Sequence, residues 1–131
     1  MDPSEFLQGG EVRIPEETYA VCQTDESHPA AFGIVRDETE TTIVVNEEAV
    51  DEIDAEHVER SWKLLTFEME LPFELVGFLA AVATALADAD ISVFVLSSYS
   101  TDHVFVKEAD LVDAVSQLET LGCDVTKRSE S

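Results

Sequence analysis

Residues 71–106 read LPFELVGFLAAVATALADADISVFVLSSYSTDHVFV, and their pattern of apolar and polar residues is the clearest indication of the fold. Residues 91–96 are β-branched and aromatic, which indicates a buried strand, and residues 103–107 predict another. The polar residues 97–102 are expected to connect these two strands. Apolar residues at three- and four-residue spacing predict a largely buried helix over 74–89. They are Leu75, Phe78, Leu79, Val82 and Leu86.

The flanking segments complete a regular order of elements. Residues 62–71 alternate apolar and polar toward their end, which predicts a half-buried strand closed by Pro72. A second apolar stripe runs from Leu111 to Leu121, with Asp110 at its start and Gly122 at its end, and predicts a second helix. Residues 123–127 can add a short edge strand. The order strand, helix, strand, strand, helix, strand is the split βαβ, or ferredoxin-like, plan.

The N-terminal half has fewer and shorter elements. Residues 18–23, 31–36 and 41–46 predict strands, and the acidic residues 47–60 predict a loop or a solvated helix. The domain boundary is placed near Ser61. The predicted domains are therefore an N-terminal subdomain over 10–60 and a C-terminal domain over 61–128.

The net charge of the chain disfavours some classes of binding partner. The 131 residues include 29 acidic and 7 Lys or Arg side chains, giving a net charge of -22 with 45% hydrophobic residues. The chain therefore has enough hydrophobic residues to form a core. Nucleic acid and anionic membranes are disfavoured as partners, because they would repel its negative charge. Acidic residues spread along the whole chain suggest a protein of a high-salt cytoplasm, because molar salt screens their mutual repulsion. An acidic patch for a basic partner is the weaker alternative, since no single stretch concentrates the charge.

The apolar residues and cysteines indicate a cytoplasmic protein. Residues 1–10 contain acids and no apolar run, so no signal peptide is expected. The apolar run over 75–87 is shorter than the roughly 20 residues that a transmembrane helix needs. Cys22 and Cys123 lack a CxxC or a Cys/His pattern, and are expected to be unpaired and buried.

Motifs for catalysis or metal binding are missing from the sequence. His28, His57 and His103 are not at metal-ligand spacing, and there is no GxSxG or glycine-rich phosphate loop. His57 beside Glu56 and Glu59 is interpreted as part of a solvated face. We therefore expect no catalytic residue, no metal and no cofactor. A small enzyme that uses one of the histidines is a disfavoured alternative, and we expect His103 to lie at the start of a strand.

Two segments stand out as candidate binding elements. Gly77 lies in the predicted first turn of a helix, where free backbone N–H groups favour a carboxylate. The connector 97–102 is rich in hydroxyls and contains Asp102, which suits an amino group. Tight helix-to-sheet packing and an ordinary hairpin loop are the respective structural alternatives, and the sequence leaves both open.

The residues 71–106 together resemble an ACT domain, in the form seen in small tandem-ACT proteins. These are similar to the CASTOR arginine sensors and to the regulatory domain of aspartate kinase. Upstream, FGIVRDETETTIVV at 32–45 resembles the first-half segment of this family, with Thr42 where serine is common. The resemblance extends over about residues 10–125 and is weaker before residue 60.

The resemblance implies an α+β fold of two ferredoxin-like (βαββαβ) ACT subdomains, the first abbreviated, with antiparallel sheets and helices on one face. It also implies a non-catalytic regulatory module that binds an amino acid between the subdomains, forms a homodimer and acts on another protein. An assembly protein that uses its ACT sheet to dimerise or dock on an enzyme without a ligand is the alternative. Ligand contacts carried over from the family are Val76, Gly77, Phe78, Tyr99, Ser100, Thr101, Asp102, Thr42 and Ile43.

Overall fold

The computed structural model describes residues 8–68, 78–99 and 101–127. The described residues form eight strands and two α-helices. The strands are β1 (Glu11–Ile14), β2 (Tyr19–Thr24), β3 (Gly33–Arg36), β4 (Thr41–Asn46), β5 (Ala55–Phe67), β6 (Val93–Ser97), β7 (Asp102–Lys107) and β8 (Asp124–Lys127). The helices are α1 (Phe78–Asp88) and α2 (Leu111–Thr120), and short 3-10 helices occupy Glu47–Glu52 and Glu108–Asp110.

The chain divides into two compact units. Unit 1 contains the described residues of Met1–Glu16 and Leu64–Ser131, and unit 2 is Glu17–Lys63. Strand β5 contributes to both, with residues 55–63 in unit 2 and 64–67 in unit 1. Strand β1, which falls inside the predicted N-terminal subdomain, belongs to unit 1. The division into domains 10–60 and 61–128 stays a prediction of domain organisation.

Unit 1 has the ferredoxin-like order of elements that the sequence predicts. Strand β5 is followed by α1, β6, β7, α2 and β8. The strands pair in the order β6-β7-β5-β1-β8, so β1 lies between β5 and β8. It pairs antiparallel with β5 and parallel with β8, through Val12↔Phe67 and Val12↔Val125. The parallel pair is an exception to the antiparallel sheet that we expected, and β1 itself was not predicted because it has only four residues.

The core of unit 1 lies between its sheet and its two helices. Leu65 and Phe67 on β5 are fully buried and pack in one cluster with Val82 and Leu86 of α1. From α2 the same cluster receives Ala114 and Leu118. Apolar residues at every second strand position thus meet the helical stripes on one face, as the spacing predicts. Leu64 and Thr66 are buried as well, so residues 64–67 of β5 are covered on both faces rather than on one.

The ends of both helices follow the sequence signals. After α2, Gly122 has a φ of 99°, and the Cys123 amide donates to the Leu118 carbonyl at 3.1 Å. After α1, Asp90 has a φ of 61°, and the Ile91 amide donates to the Leu86 carbonyl at 3.0 Å. Both are left-handed helix stops that satisfy terminal carbonyls. Asp110 stands at the N-cap of α2 but makes no side-chain capping hydrogen bond.

Unit 2 repeats the strand arrangement of unit 1 without its α-helices. Its strands pair in the order β3-β4-β2-β5, and the Glu47–Glu52 turn stands where unit 1 has a second helix. Without β1, the strands of unit 1 have the same order across the sheet as those of unit 2. In both units this order, numbered along the chain, is second, third, first and fourth. A small core of buried residues holds unit 2 together: Ala20, Cys22, Ile43, Val45, Val50 and Ile53.

One N-terminal prediction was wrong. Residues 55–60, expected in a loop or a solvated helix, form the first part of β5 and pair with β2 through Cys22↔Val58 and Gln23↔His57. Four of the six side chains are exposed and two are acidic, so local composition favours solvation. Backbone pairing with a neighbouring strand overrides this weak local preference.

Candidate functional site

The β6–β7 turn, defined as residues 97–102, joins two paired strands at the end of unit 1. Ser97 and Asp102 are partners in the ladder, and the Ser97 hydroxyl donates to Asp102 Oδ1 at 2.6 Å. Within the turn, the Ser98 amide donates to the Thr101 carbonyl at 2.8 Å. The Asp102 carboxylate is therefore held in a defined orientation beside an otherwise exposed loop, where Tyr99 is 83% exposed.

His103 ties this turn to the interior of the sheet. Its Nε2 is hydrogen-bonded to the Ser98 hydroxyl at 2.9 Å, and its Nδ1 to the Thr66 hydroxyl at 3.1 Å. Thr66 lies on β5 and is only 4% exposed. Because a hydroxyl can donate or accept, both partners are satisfied with either tautomer of a neutral imidazole. The imidazole is thus a bridge between a buried strand and the exposed turn.

The environment of His103 favours its neutral form. Burial lowers the pKa of His103 below the ordinary value of 6.5, and the positive charge of Arg13 acts in the same direction. The negative charges of Asp102 and Glu68 oppose this effect. Burial dominates because a charged imidazole loses hydration when it is enclosed. His103 therefore acts as a hydrogen-bonding link with little positive charge at neutral pH.

An ion pair lies near His103 on the same unit. Arg13 on β1 contacts Glu68, which directly follows β5, through its Nε and the Glu68 Oε1. The two side chains border a cavity of about 160 Å³ that is also lined by Glu11, Val12 and Thr126. The charged groups that line this cavity are one cation, Arg13, and two carboxylates, Glu11 and Glu68.

The structure describes five of the nine predicted site residues in full. Tyr99, Thr101 and Asp102 belong to the β6–β7 turn of unit 1. Thr42 and Ile43 are neighbours on β4 of unit 2, where Ile43 is fully buried in the core and Thr42 is half-buried.

The remaining four predicted residues lie wholly or partly outside the described residues. Val76, Gly77 and Ser100 lie outside the described residues. Phe78 is the first residue of α1, and its side chain lies outside the described part of the chain. The glycine-containing turn that we predicted as a carboxylate site therefore stays a prediction.

Sequence reasoning missed the residues that hold the turn in place. His103 was expected to be no more than a residue at a strand start, and it is the second residue of β7. Thr66 lies within the predicted strand 62–71, and nothing in the sequence distinguishes it there. Thr66 and Ser98 lie at different distances from His103 along the chain. No short sequence motif therefore predicts the hydrogen bonds that they make with it. Only the ladder pairing Ser97↔Asp102 could have been inferred, from the symmetry of the two strands around the turn.

The thiols do not contribute reactive groups. Cys22 and Cys123 are unpaired and buried, as predicted. Burial raises the pKa of Cys22, and burial together with the charge of Asp124 raises the pKa of Cys123 to about 11. Both are therefore protonated and weakly nucleophilic at neutral pH. Within the described residues, no group of three or more His, Cys, Asp or Glu side chains could hold a metal ion.

The comparisons with known proteins agree with this architecture. Residues 57–120 match the model of the ACT domain family. This segment, just under half of the chain, is therefore similar to an ACT domain. The human protein CASTOR3P is 32% identical over 91 residues, which are 61% of this chain and 56% of the relative. The chain thus spans a little over half the length of that curated relative.

Solved structures with this fold include regulatory proteins. A protein of Agrobacterium tumefaciens aligns with a TM-score of 0.77 and 22% identity, covering 93% of this chain and 96% of its own. The ligand-free regulatory subunit of aspartate kinase from Thermus thermophilus aligns with a TM-score of 0.64 and 11% identity, covering 86% and 95%. At such identities the likeness establishes the fold alone. In the part of the chain that is described, no helix is long and apolar enough to span a membrane.

Proposed function

We propose that this chain is a non-catalytic regulatory module that binds an amino acid. The observation that carries the proposal is an ACT domain whose β6–β7 turn presents an oriented carboxylate. A carboxylate is the natural acceptor for an ammonium or guanidinium group, and a charge-assisted hydrogen bond of this kind is stronger than a neutral one. The mixed charges near Arg13 and Glu68 favour a zwitterion over a simple anion in this unit.

The proposed site combines two kinds of contact. Asp102, with Tyr99, Ser100 and Thr101 around it, receives the amino or cationic end of the ligand. The backbone of Val76, Gly77 and Phe78 receives the carboxylate, as the resemblance implies. The resemblance also assigns Thr42 and Ile43 to the ligand; because the Ile43 side chain lies in the core of unit 2 and its backbone is paired between β2 and β3, we expect Thr42 to make the contact.

The partners and place of action follow the same reasoning. We infer that the module works in the cytoplasm as a homodimer and transmits ligand binding to a separate protein. A high-salt cytoplasm suits its charge of -22, since the Debye length is only about 3 Å in molar salt. No residue is assigned to catalysis, because the two thiols are protonated and His103 is engaged by two hydroxyls.

The experiment is equilibrium dialysis of the purified chain against an equimolar mixture of the twenty amino acids in molar KCl. Amino-acid analysis of both compartments then shows which, if any, is retained by the protein. We expect one amino acid, or one chemical group of them, to be enriched on the protein side. Asp102→Asn keeps an oxygen that accepts from Ser97 but removes the charge, and we expect it to lose at least about tenfold in affinity.

Two variants separate binding from turn structure. Ser97→Ala removes the hydroxyl that fixes Asp102 without changing the charge, and should weaken binding less than Asp102→Asn. Asp113→Asn removes one exposed carboxylate on α2 and should retain full affinity. Equal enrichment by Asp102→Asn and the unmodified chain would contradict the assigned role of Asp102. No enrichment of any amino acid, in a protein shown to be folded, would favour an assembly protein without a ligand.

A further inference from the structure

Two consecutive residues of β7 hold the β6–β7 turn through two consecutive serines. The Ser97 hydroxyl donates to Asp102 Oδ1 at 2.6 Å. The hydroxyl of the next residue, Ser98, is hydrogen-bonded at 2.9 Å to Nε2 of His103, which follows Asp102. Successive side chains of a strand point to opposite faces of its sheet. The two hydrogen bonds therefore hold the turn from both faces, one through a carboxylate and one through an imidazole.

The other side of the imidazole is anchored in a buried strand. His103 Nδ1 is hydrogen-bonded to the Thr66 hydroxyl at 3.1 Å, and Thr66 is itself buried. Its neighbours on β5, Leu65 and Phe67, are fully buried in the core of unit 1. The anchor therefore belongs to a packed segment, whereas Ser98 at the other end of the bridge is exposed. A binding group is held best when packing fixes the side chain that positions it.

The chemistry of the imidazole suits this position. A neutral imidazole has one N–H donor and one acceptor nitrogen, and each hydroxyl can take the complementary role. An amide side chain also offers a donor and an acceptor, whereas a phenyl ring offers neither. His103→Gln is therefore the conservative variant, which keeps a bridging group without a titratable one. His103→Phe is the variant that removes the bridge.

The charges around His103 connect its protonation to Asp102. Among the described residues, the charged groups that act on the imidazole are Asp102 of β7, Arg13 of β1 and Glu68, which follows β5. Its ladder partner on β6, Leu96, carries no charge. Burial is the largest effect and, together with Arg13, lowers the pKa of His103 from 6.5. A proton on the imidazole adds a positive charge near Asp102, which reduces the attraction of that carboxylate for another cation.

We propose that His103 is a positioning residue of the amino-acid site: its neutral imidazole holds the β6–β7 turn so that Asp102 receives the cationic end of the ligand, and its protonation weakens binding. This inference rests on the proposed function and adds a regulation by pH to the same site. Because coupling between two binding events is reciprocal, the bound ligand also disfavours the protonated imidazole. Affinity should therefore be highest above the pKa of His103 and decline as the pH falls through it.

The test is dialysis against a series of concentrations of the equimolar mixture of the twenty amino acids in molar KCl, at about pH 7.5 and at about pH 5. For the unmodified chain, we expect the apparent affinity to fall by about twofold or more at the lower pH. His103→Gln should keep most of the affinity and lose most of its pH dependence, because the bridge remains without a titratable group. His103→Phe should bind weakly at both pH values. Circular dichroism at each pH confirms that the variants are folded.

A control and a ligand-free measurement separate the positioning role from other effects. His57 is exposed on β5, so His57→Gln removes a histidine elsewhere and should keep the pH dependence of the unmodified chain. The Ser98 amide donates to the Thr101 carbonyl at 2.8 Å, and its solvent exchange can be measured by NMR without amino acid. We expect this amide to exchange about tenfold faster in His103→Phe than in His103→Gln, because the turn opens more often without the bridge.

Three results would contradict these assignments in different ways. The same pH dependence in His103→Gln as in the unmodified chain would overturn the regulation by His103 and leave amino-acid binding standing. Full affinity in a folded His103→Phe variant would overturn its positioning role. An unmodified chain that retains no amino acid at either pH would overturn the proposed function, and with it the site that His103 is proposed to position.

Discussion

Units 1 and 2 have the same strand order, but different elements cover their sheets. Unit 1 places two amphipathic helices over its sheet and buries Phe67, Leu65 and Leu118 completely. Unit 2 has the same order of four strands but only a 3-10 helix, a smaller core and an exposed apolar edge at β3. Backbone pairing alone can therefore preserve a topology, whereas the helices determine how much apolar area is removed from water.

The largest expected effect is in the core of unit 1. Phe67→Ala should lower the free energy of unfolding by about 3–5 kcal/mol, because a fully buried aromatic ring leaves a cavity. Urea unfolding in molar KCl, followed by circular dichroism, measures the change. Phe32→Ala, the same substitution at the exposed edge of unit 2, should cost clearly less. Equal losses at the two positions would remove the contrast between the units.

The core of unit 2 should be less sensitive to truncation. Val45 is fully buried, and Val45→Ala removes two methyl groups, which corresponds to about 2 kcal/mol. Val35→Ala makes the same change on exposed β3 and should stay within about 0.5 kcal/mol of the unmodified chain. Urea unfolding of both variants gives the comparison. A negligible effect of Val45→Ala would mean that unit 2 contributes little to the cooperative unfolding of the chain.

The end of α2 offers a backbone test in unit 1. Gly122→Ala should cost about 1–2 kcal/mol, because an L-residue is strained at a φ of 99°. A Cβ there would also lie 3.3 Å from the Gln8 Cα atom. Gly9 has a φ of 72° but open space around the added carbon, so Gly9→Ala should cost less. A smaller effect at Gly122 than at Gly9 would contradict the described packing.

The smallest expected effect is a pH dependence from His103. Its pKa is lower in the folded chain than in the unfolded one, so the unfolded chain binds more protons as the pH falls below about 6.5. Stability is therefore present above this range and declines as the pH falls through it. His103→Gln should reduce this loss of stability at low pH. His57 is an exposed residue of β5, so His57→Gln serves as the control. An unchanged slope in His103→Gln would contradict the enclosed position of the imidazole.

The sequence predicts unit 1 better than unit 2 for a physical reason. The stripes of α1 and α2 have strong periods because each helix buries one face, and the strand at 103–107 is marked by a continuous apolar run that is buried on both faces. Residues 55–60 have no such period, and β1 alternates over only four residues; backbone pairing with strands far along the chain holds both segments in place. The bridge Thr66–His103–Ser98 was not predictable for the same reason, although the carboxylate at Asp102 was.

Thermal unfolding in molar KCl with each of the twenty amino acids tests the central claim, that the chain binds an amino acid. A ligand that binds only the folded chain, present at a hundred times its Kd, adds about 2.7 kcal/mol of stability. We predict a clear rise in melting temperature for one amino acid or one chemical group of them, and a reduced rise for Asp102→Asn. A folded chain whose melting temperature responds to none of the twenty would contradict the account.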